Sequence, residues 1–125
     1  MSRTVKIPDE THPITVRPTG ARVTVTVNGT KVAETDQALS LAESTYPVIQ
    51  YVPLADVDQS LLTRTETHTY CPYKGEASYY TVQTPDGHAE TDLIWFYEQP
   101  YDAVADIAGH AAFYPDRAEV TVKNL

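Results

Sequence analysis

Arg22-Val23-Thr24-Val25-Thr26-Val27-Asn28-Gly29-Thr30-Lys31-Val32-Ala33-Glu34-Thr35 decides the fold class. Val23, Val25 and Val27 alternate with Arg22, Thr24 and Thr26, the period-2 signature of a strand with one buried face. Asn28-Gly29 follows without a gap. That pair accepts the positive φ angles of a type I′ turn, so Thr30–Thr35 is predicted to return as the second strand of a hairpin.

Working outward, the same β character recurs. Leu39–Glu43 reads as a third strand, and Pro47 opens a β-branched run, Val48–Val52, that Pro53 closes. Asp56–Leu62 lacks that character. It reads as a short helical turn capped by Asp56, with Val57, Leu61 and Leu62 facing inward. Thr63–Thr69 and Ala77–Gln83 are strands on either side of a loop at Cys71, with Tyr79 and Tyr80 on opposite faces. Thr84-Pro85-Asp86-Gly87 has turn chemistry, which predicts a second hairpin between Tyr79–Gln83 and His88–Glu98. Pro100–Ala108 is the predicted helix, with Tyr101, Val104, Ala105 and Ala108 on one face and Gly109 as its stop. His110–Tyr114 and Ala118–Lys123 complete the strands.

Residues 1–18 are polar and broken by Pro8, Pro13 and Pro18, so they read as an N-terminal arm with one strand at Ile14–Arg17. Residues 19–125 form a single domain, mainly β, of antiparallel sheets with one short helix near residues 100–108. A chain of 125 residues can bury a core without metals or disulfides.

Charge and cysteine content narrow the function. A net charge of −8 repels phosphate backbones and anionic lipid, so neither nucleic acid nor membrane is an expected partner. The single cysteine excludes an internal disulfide and zinc sites built from cysteine pairs. Met1–His12 has no apolar segment resembling a signal peptide, and no run reaches the roughly 18 apolar residues of a membrane span. The expected location is cytoplasmic.

Chemistry concentrates at Thr69-Tyr70-Cys71-Pro72-Tyr73-Lys74-Gly75. A cation near a thiol favours its reactive form, and both Lys74 and His68 lie three residues from Cys71. Cys71 and Lys74 are therefore the candidate catalytic pair; the alternative for Cys71 is a small buried hydrophobe at a strand end. Lys74-Gly75 is not a Walker loop, because Gly75, followed by Glu76, stands where the pattern needs a hydroxyl residue after the lysine. Lys74 can still hold an anion as a point charge. Asp56 and Asp58 are spaced like a metal-binding pair, but in a helical turn positions i and i+2 diverge. His12, His68, His88 and His110 show no zinc spacing, and no metal or other cofactor is expected. Trp95 and Tyr97 share one face of a predicted strand and, with Tyr73 and Tyr79, are candidates to line an aromatic pocket.

These residues carry a family resemblance. Arg22-Val23, Val32-Ala33-Glu34-Thr35, Glu43, Tyr46-Pro47-Val48, Tyr51-Val52-Pro53, Asp56-Val57, Cys71-Pro72-Tyr73-Lys74-Gly75-Glu76-Ala77, Trp95 with Tyr97, and Ala112-Phe113-Tyr114 resemble the bacterial domain of unknown function 427 over roughly residues 20–120. The resemblance implies a small β-tent-like (Mss4-like) domain, with sheets leaning together over a cleft. It also brings a nucleotidyltransferase label, which no Gly-Ser loop before Asp56 supports. Ile94 and Phe96 flank Trp95 where the family has smaller residues, which predicts added apolar bulk beside the pocket.

The resulting expectation is a cleft framed by Arg22, Glu43, Cys71, Tyr73, Lys74, Tyr79, Trp95 and Tyr97 that binds a small anionic or planar molecule. Two other classes stand beside it: a thiol-dependent enzyme using Cys71, and an interaction module that forms a homodimer through its tyrosine-rich face or a free sheet edge.

Overall fold

The computed structural model describes residues 3–124. It contains ten strands: β1 (Ile14–Pro18), β2 (Arg22–Val27), β3 (Thr30–Thr35), β4 (Leu39–Glu43), β5 (Ile49–Pro53), β6 (Leu62–Cys71), β7 (Gly75–Gln83), β8 (Ala89–Tyr97), β9 (His110–Phe113) and β10 (Glu119–Lys123). They form a seven-stranded sheet in the order β1-β4-β5-β9-β8-β7-β6 and a three-stranded sheet in the order β10-β2-β3. Every pairing between strands is antiparallel. The expected mainly β fold is what the protein adopts.

The opening hairpin forms as its residues dictate. Val27 pairs with Thr30, leaving Asn28 and Gly29 as a two-residue loop with φ of 49° and 81°. Val23, Val25 and Val27 are fully buried and Val32 and Ala33 nearly so; each valine contributes about 2 kcal/mol by leaving water. They pack against Val52, Val82, Ile94, Phe96, Ala111 and Phe113, which lie on one face of the large sheet.

Strand alternation gives the large sheet a second, separate core on its other face. Leu41, Tyr51, Ala77, Tyr79, Tyr97 and Ala112 are buried there, with Cys71 and Trp95 packed against them. Tyr79 and Tyr80 part to opposite cores as expected. Ile94 and Phe96 do not add bulk beside Trp95. They alternate with it along β8 and point into the core shared with the small sheet.

Two local expectations change. Residues 100–108 do not form an α-helix. Asp102–Ile107 is a pair of short 3-10 turns, interrupted at Val104, whose φ of −129° and ψ of 29° are not helical. The buried residues are accordingly Val104 and Ile107, three apart, while Ala105 and Ala108 are exposed. Asp56–Leu62 likewise resolves into two 3-10 turns, Leu54–Asp56 and Gln59–Leu61. Asp58, not Asp56, caps the second by accepting from the Ser60 amide, and Asp56 accepts from the Thr35 hydroxyl instead.

Strand β1 is longer than expected by Pro18 and pairs with β4 from Ile14–Glu43 to Pro18–Leu39, so residues 14–18 belong to the large sheet. No helix among the described residues is long and apolar enough to cross a membrane.

Candidate functional site

The turn between β6 and β7 is tight because its residues make it so. Cys71 pairs with Gly75, and the Lys74 amide returns a hydrogen bond to the Cys71 carbonyl at 3.2 Å. Gly75 takes φ of +113°, and a Cβ there would meet the Gln99 carbonyl oxygen at 3.4 Å, so the position suits glycine alone. The Lys74 carbonyl accepts from the Tyr101 amide, which fixes the turn against the chain leaving β8. So held, the turn sends the Lys74 side chain inward, where the residue is only 8% exposed.

A buried ammonium needs a counter-charge. Lys74 Nζ ion-pairs with Glu43 Oε1 at the end of β4 and lies 3.8 Å from Cys71 Sγ. The second Glu43 oxygen, Oε2, faces His12 Nε2 at 2.8 Å. The His12 ring stacks on Tyr73, with centroids 4.2 Å apart and planes 8° from parallel. A continuous contact line thus runs Cys71–Lys74–Glu43–His12–Tyr73. Burial alone would raise the Glu43 carboxyl, but hydrogen bonds from Lys74 and His12 more than offset it and hold Glu43 below the ordinary carboxylate range.

The phenols behind this line are deeply set. Trp95 Nε1 donates to the Tyr51 hydroxyl at 3.2 Å, and the Trp95 ring leans on Tyr114 with centroids 4.6 Å apart. Tyr79 shares a hydrogen bond with Thr69. Burial pushes Tyr51 and Tyr97 well above the usual phenol range, and the nearby Glu43 and Cys71 add to the shift in both.

Of the residues expected at one site, Glu43, Cys71, Tyr73 and Lys74 come together, with Tyr79, Trp95 and Tyr97 forming the packed wall behind them. Arg22 does not join. It sits on β2 in the other sheet and is half-exposed, with its guanidinium held by Asp36 at 2.8 and 3.0 Å. His68 also stands away from Cys71. It alternates with Cys71's face along β6 and faces Glu76, 3.6 Å away. Asp56 and Asp58 serve Thr35 and Ser60, and no three potential ligands gather for a metal ion among the described residues.

The aromatic wall is filled rather than open. Tyr79 and Tyr97 are buried and Trp95 is half-buried, packed together in the second core. One hollow borders the Cys71 loop at Gly75 and Glu76, and a second borders it at Tyr73. The second measures about 340 Å³ and is lined by Val5, Ile7, Tyr73, Pro100 and Tyr101 together with the charged Lys6 and Asp102. Lys6 is fastened to the loop by a 2.9 Å bond from its amide to the Pro72 carbonyl, and its ammonium lies 5.9 Å above the Tyr73 ring.

Lys6, His12, Tyr51 and Tyr101 were not expected as site residues. The one signal for His12 was its distance of two residues from Ile14, which pairs with Glu43; it required knowing that β1 lies beside β4.

Fold and site together define a small all-β domain of two antiparallel sheets with an interior Lys–Glu pair beside its single cysteine. The chain belongs to the family described as Domain of unknown function (DUF427), whose model, labelled NTP_transf_9, matches residues 15–124. His12 and the segment that carries it precede the matched residues. Comparison with curated proteins finds no match.

Proposed function

We propose that the domain binds a small planar molecule bearing one anionic group in the hollow beside Tyr73 of the Cys71 loop. The observation that carries this reading is the hollow's composition. Val5 and Ile7 are large aliphatic residues left 54% and 79% exposed, and they stand around 340 Å³ of open space against the rings of Tyr73 and Tyr101. Uncovered aliphatic and aromatic groups around a recess of this size suit a ligand of a few rings. Lys6, in the same lining, supplies the anion's partner. Lys74 does not, because Glu43 already neutralises it. Asp102 in the same lining disfavours ligands of higher negative charge.

The test is a thermal-shift screen of aromatic carboxylates and their neutral amides. A binder should raise the melting temperature. Tyr73→Ala should abolish the shift and Lys6→Ala should erase the preference for acid over amide, while Arg22→Ala leaves both intact. No stabilising compound, or equal stabilisation of Tyr73→Ala, overturns the reading.

A thiol-dependent reaction at Cys71 is the second reading. It is favoured by one observation, the Lys74 ammonium 3.8 Å from a sulfur that is only partly buried. Slower alkylation of Cys71 in a Lys74→Met variant would support it, and an unchanged rate would remove it.

A further inference from the structure

The two sheets present four edge strands, and three of them are blunted. Edge β6 is interrupted by a bulge between Arg64 and His68 and carries Arg64, Glu66 and His68 outward. Edge β1 is preceded by Pro13 and ends on Pro18. Edge β3 is covered, because Ala33 bridges to Val57 and the Asp58 amide bonds the Val32 carbonyl at 2.8 Å. Bulges, charges, prolines and cover are the usual means of preventing strand-to-strand association.

Edge β10 has no bulge, no proline and no covering bridge among the described residues, and its two charges, Glu119 and Lys123, are of opposite sign. Glu119 to Lys123 pair with β2 in unbroken register, and no strand among the described residues covers the other side. Every second backbone N–H and C=O there points away from β2 without a strand partner. The apolar side of the strand is also incompletely covered. Val122 is 47% exposed, and with Val120, Val48 and Phe113 it lines a hollow of about 230 Å³ next to Val48, itself 54% exposed.

The sequence of β10 says what fits. Glu119-Val120-Thr121-Val122-Lys123 is complementary to itself in the antiparallel sense. Centring a two-fold axis on Thr121 places Glu119 opposite Lys123 of a second copy, twice, and Val120 opposite Val122, twice. The charge pairs fall on one face of the strand with Thr121. The valine pairs fall on the other face, over the open hollow.

We infer that β10 is a self-association edge: two copies pair antiparallel about Thr121 and join their three-stranded sheets into one sheet of six. The interface is isologous, so it closes at a dimer and does not propagate. It involves neither the Cys71 loop nor the hollow beside Tyr73, so it stands or falls apart from the ligand reading above.

Sedimentation velocity on the full chain from micromolar to millimolar concentration tests it. The wild-type chain should sediment as a concentration-dependent dimer. Glu119→Lys sets like charges opposite each other at both ends and should weaken association about tenfold. The charge-swapped double variant, Glu119→Lys with Lys123→Glu, should restore it, an outcome that damage to the monomer fold could not produce. A monomer at every concentration, a dimer indifferent to Glu119→Lys, or a swap that fails to restore pairing overturns the inference.

Discussion

Lys74 and Glu43 form an ion pair across the open ends of one sheet. Glu43 ends β4, second in the strand order, while Lys74 turns between β6 and β7, the last two. For these side chains to touch, the seven-stranded sheet must curl until its two ends approach. The 3-10 turns at Asp102–Ile107, packed against the edge strand β1, lie inside that curl, where Val104 and Ile107 join Leu41, Tyr51, Tyr79 and Tyr97. The pair is therefore both the centre of the polar line at the Cys71 loop and the clasp of the larger sheet.

Removing one partner should cost more than removing both. Lys74→Met leaves Glu43 charged and only 15% exposed, and about 3 kcal/mol of stability should be lost, the lower end for a buried pair. Glu43→Gln should cost a similar amount. The double variant Lys74→Met/Glu43→Gln should be clearly less destabilised than the sum of the singles, since neither charge is then stranded. Urea unfolding of the four proteins measures the coupling; additive losses would mean the two groups do not interact.

Acid should release the clasp. The Glu43 carboxyl is lowered from an ordinary value of 4.5, so its contribution to stability is complete above that pH and is lost as pH falls through the lower folded value. Asp92, held down by Thr65 and Thr67, and Glu90, held down by Arg117 and His88, contribute slopes of the same sign. Stability should therefore fall with pH below about 4.5. Glu43→Gln should flatten part of that fall, not all of it. An identical acid slope in the variant would show that Glu43 titrates normally.

Trp95 offers an optical probe of the same core. It is the only tryptophan, and its indole N–H donates to Tyr51, a side chain 1% exposed. Tyr51→Phe removes the acceptor, strands the indole donor and should cost about 1 to 2 kcal/mol. Trp95 emission should change in the folded state, while Tyr80→Phe, on the opposite core, leaves it unaltered. An unchanged spectrum in Tyr51→Phe would mean that the hydrogen bond does not form in solution.

The parts of the fold that could be read from residues alone are those set by neighbours in sequence. Val23 to Thr35 specifies its own hairpin through alternation and Asn28-Gly29, and the second hairpin follows from Thr84-Pro85-Asp86-Gly87 in the same way. Pairings over long separations, β1 with β4 and β5 with β9, leave no local mark. Arg22 lies away from Lys74 for that reason: nothing in Arg22-Val23-Thr24 reports that its strand belongs to a different sheet. Glu43 was reached through family resemblance, because only the curl of the sheet brings it to the loop. At residues 100–108, an apolar spacing of three and four suits an α-helix, whereas the buried pair Val104 and Ile107 follows the tighter 3-10 repeat.

His12 ties the segment before β1 to the site, and its loss should be felt several residues away. Its imidazole holds Glu43 Oε2 and stacks on Tyr73, while the same segment is anchored farther back by the Lys6 amide on Pro72 and the Thr4 carbonyl on the Tyr70 hydroxyl. His12→Ala removes the fastening nearest β1 and should lower global stability by about 1 kcal/mol, through one lost hydrogen bond and one ring contact. The larger effect should be local. Hydrogen exchange at the Lys6 amide should accelerate well beyond what the global loss accounts for, because the segment opens as a unit of low stability, while amides of β2 and β3 change only with the global term. Uniform acceleration throughout the chain would instead make His12 an ordinary contributor to the core, and the segment before β1 no more separable from the sheet than β4 itself.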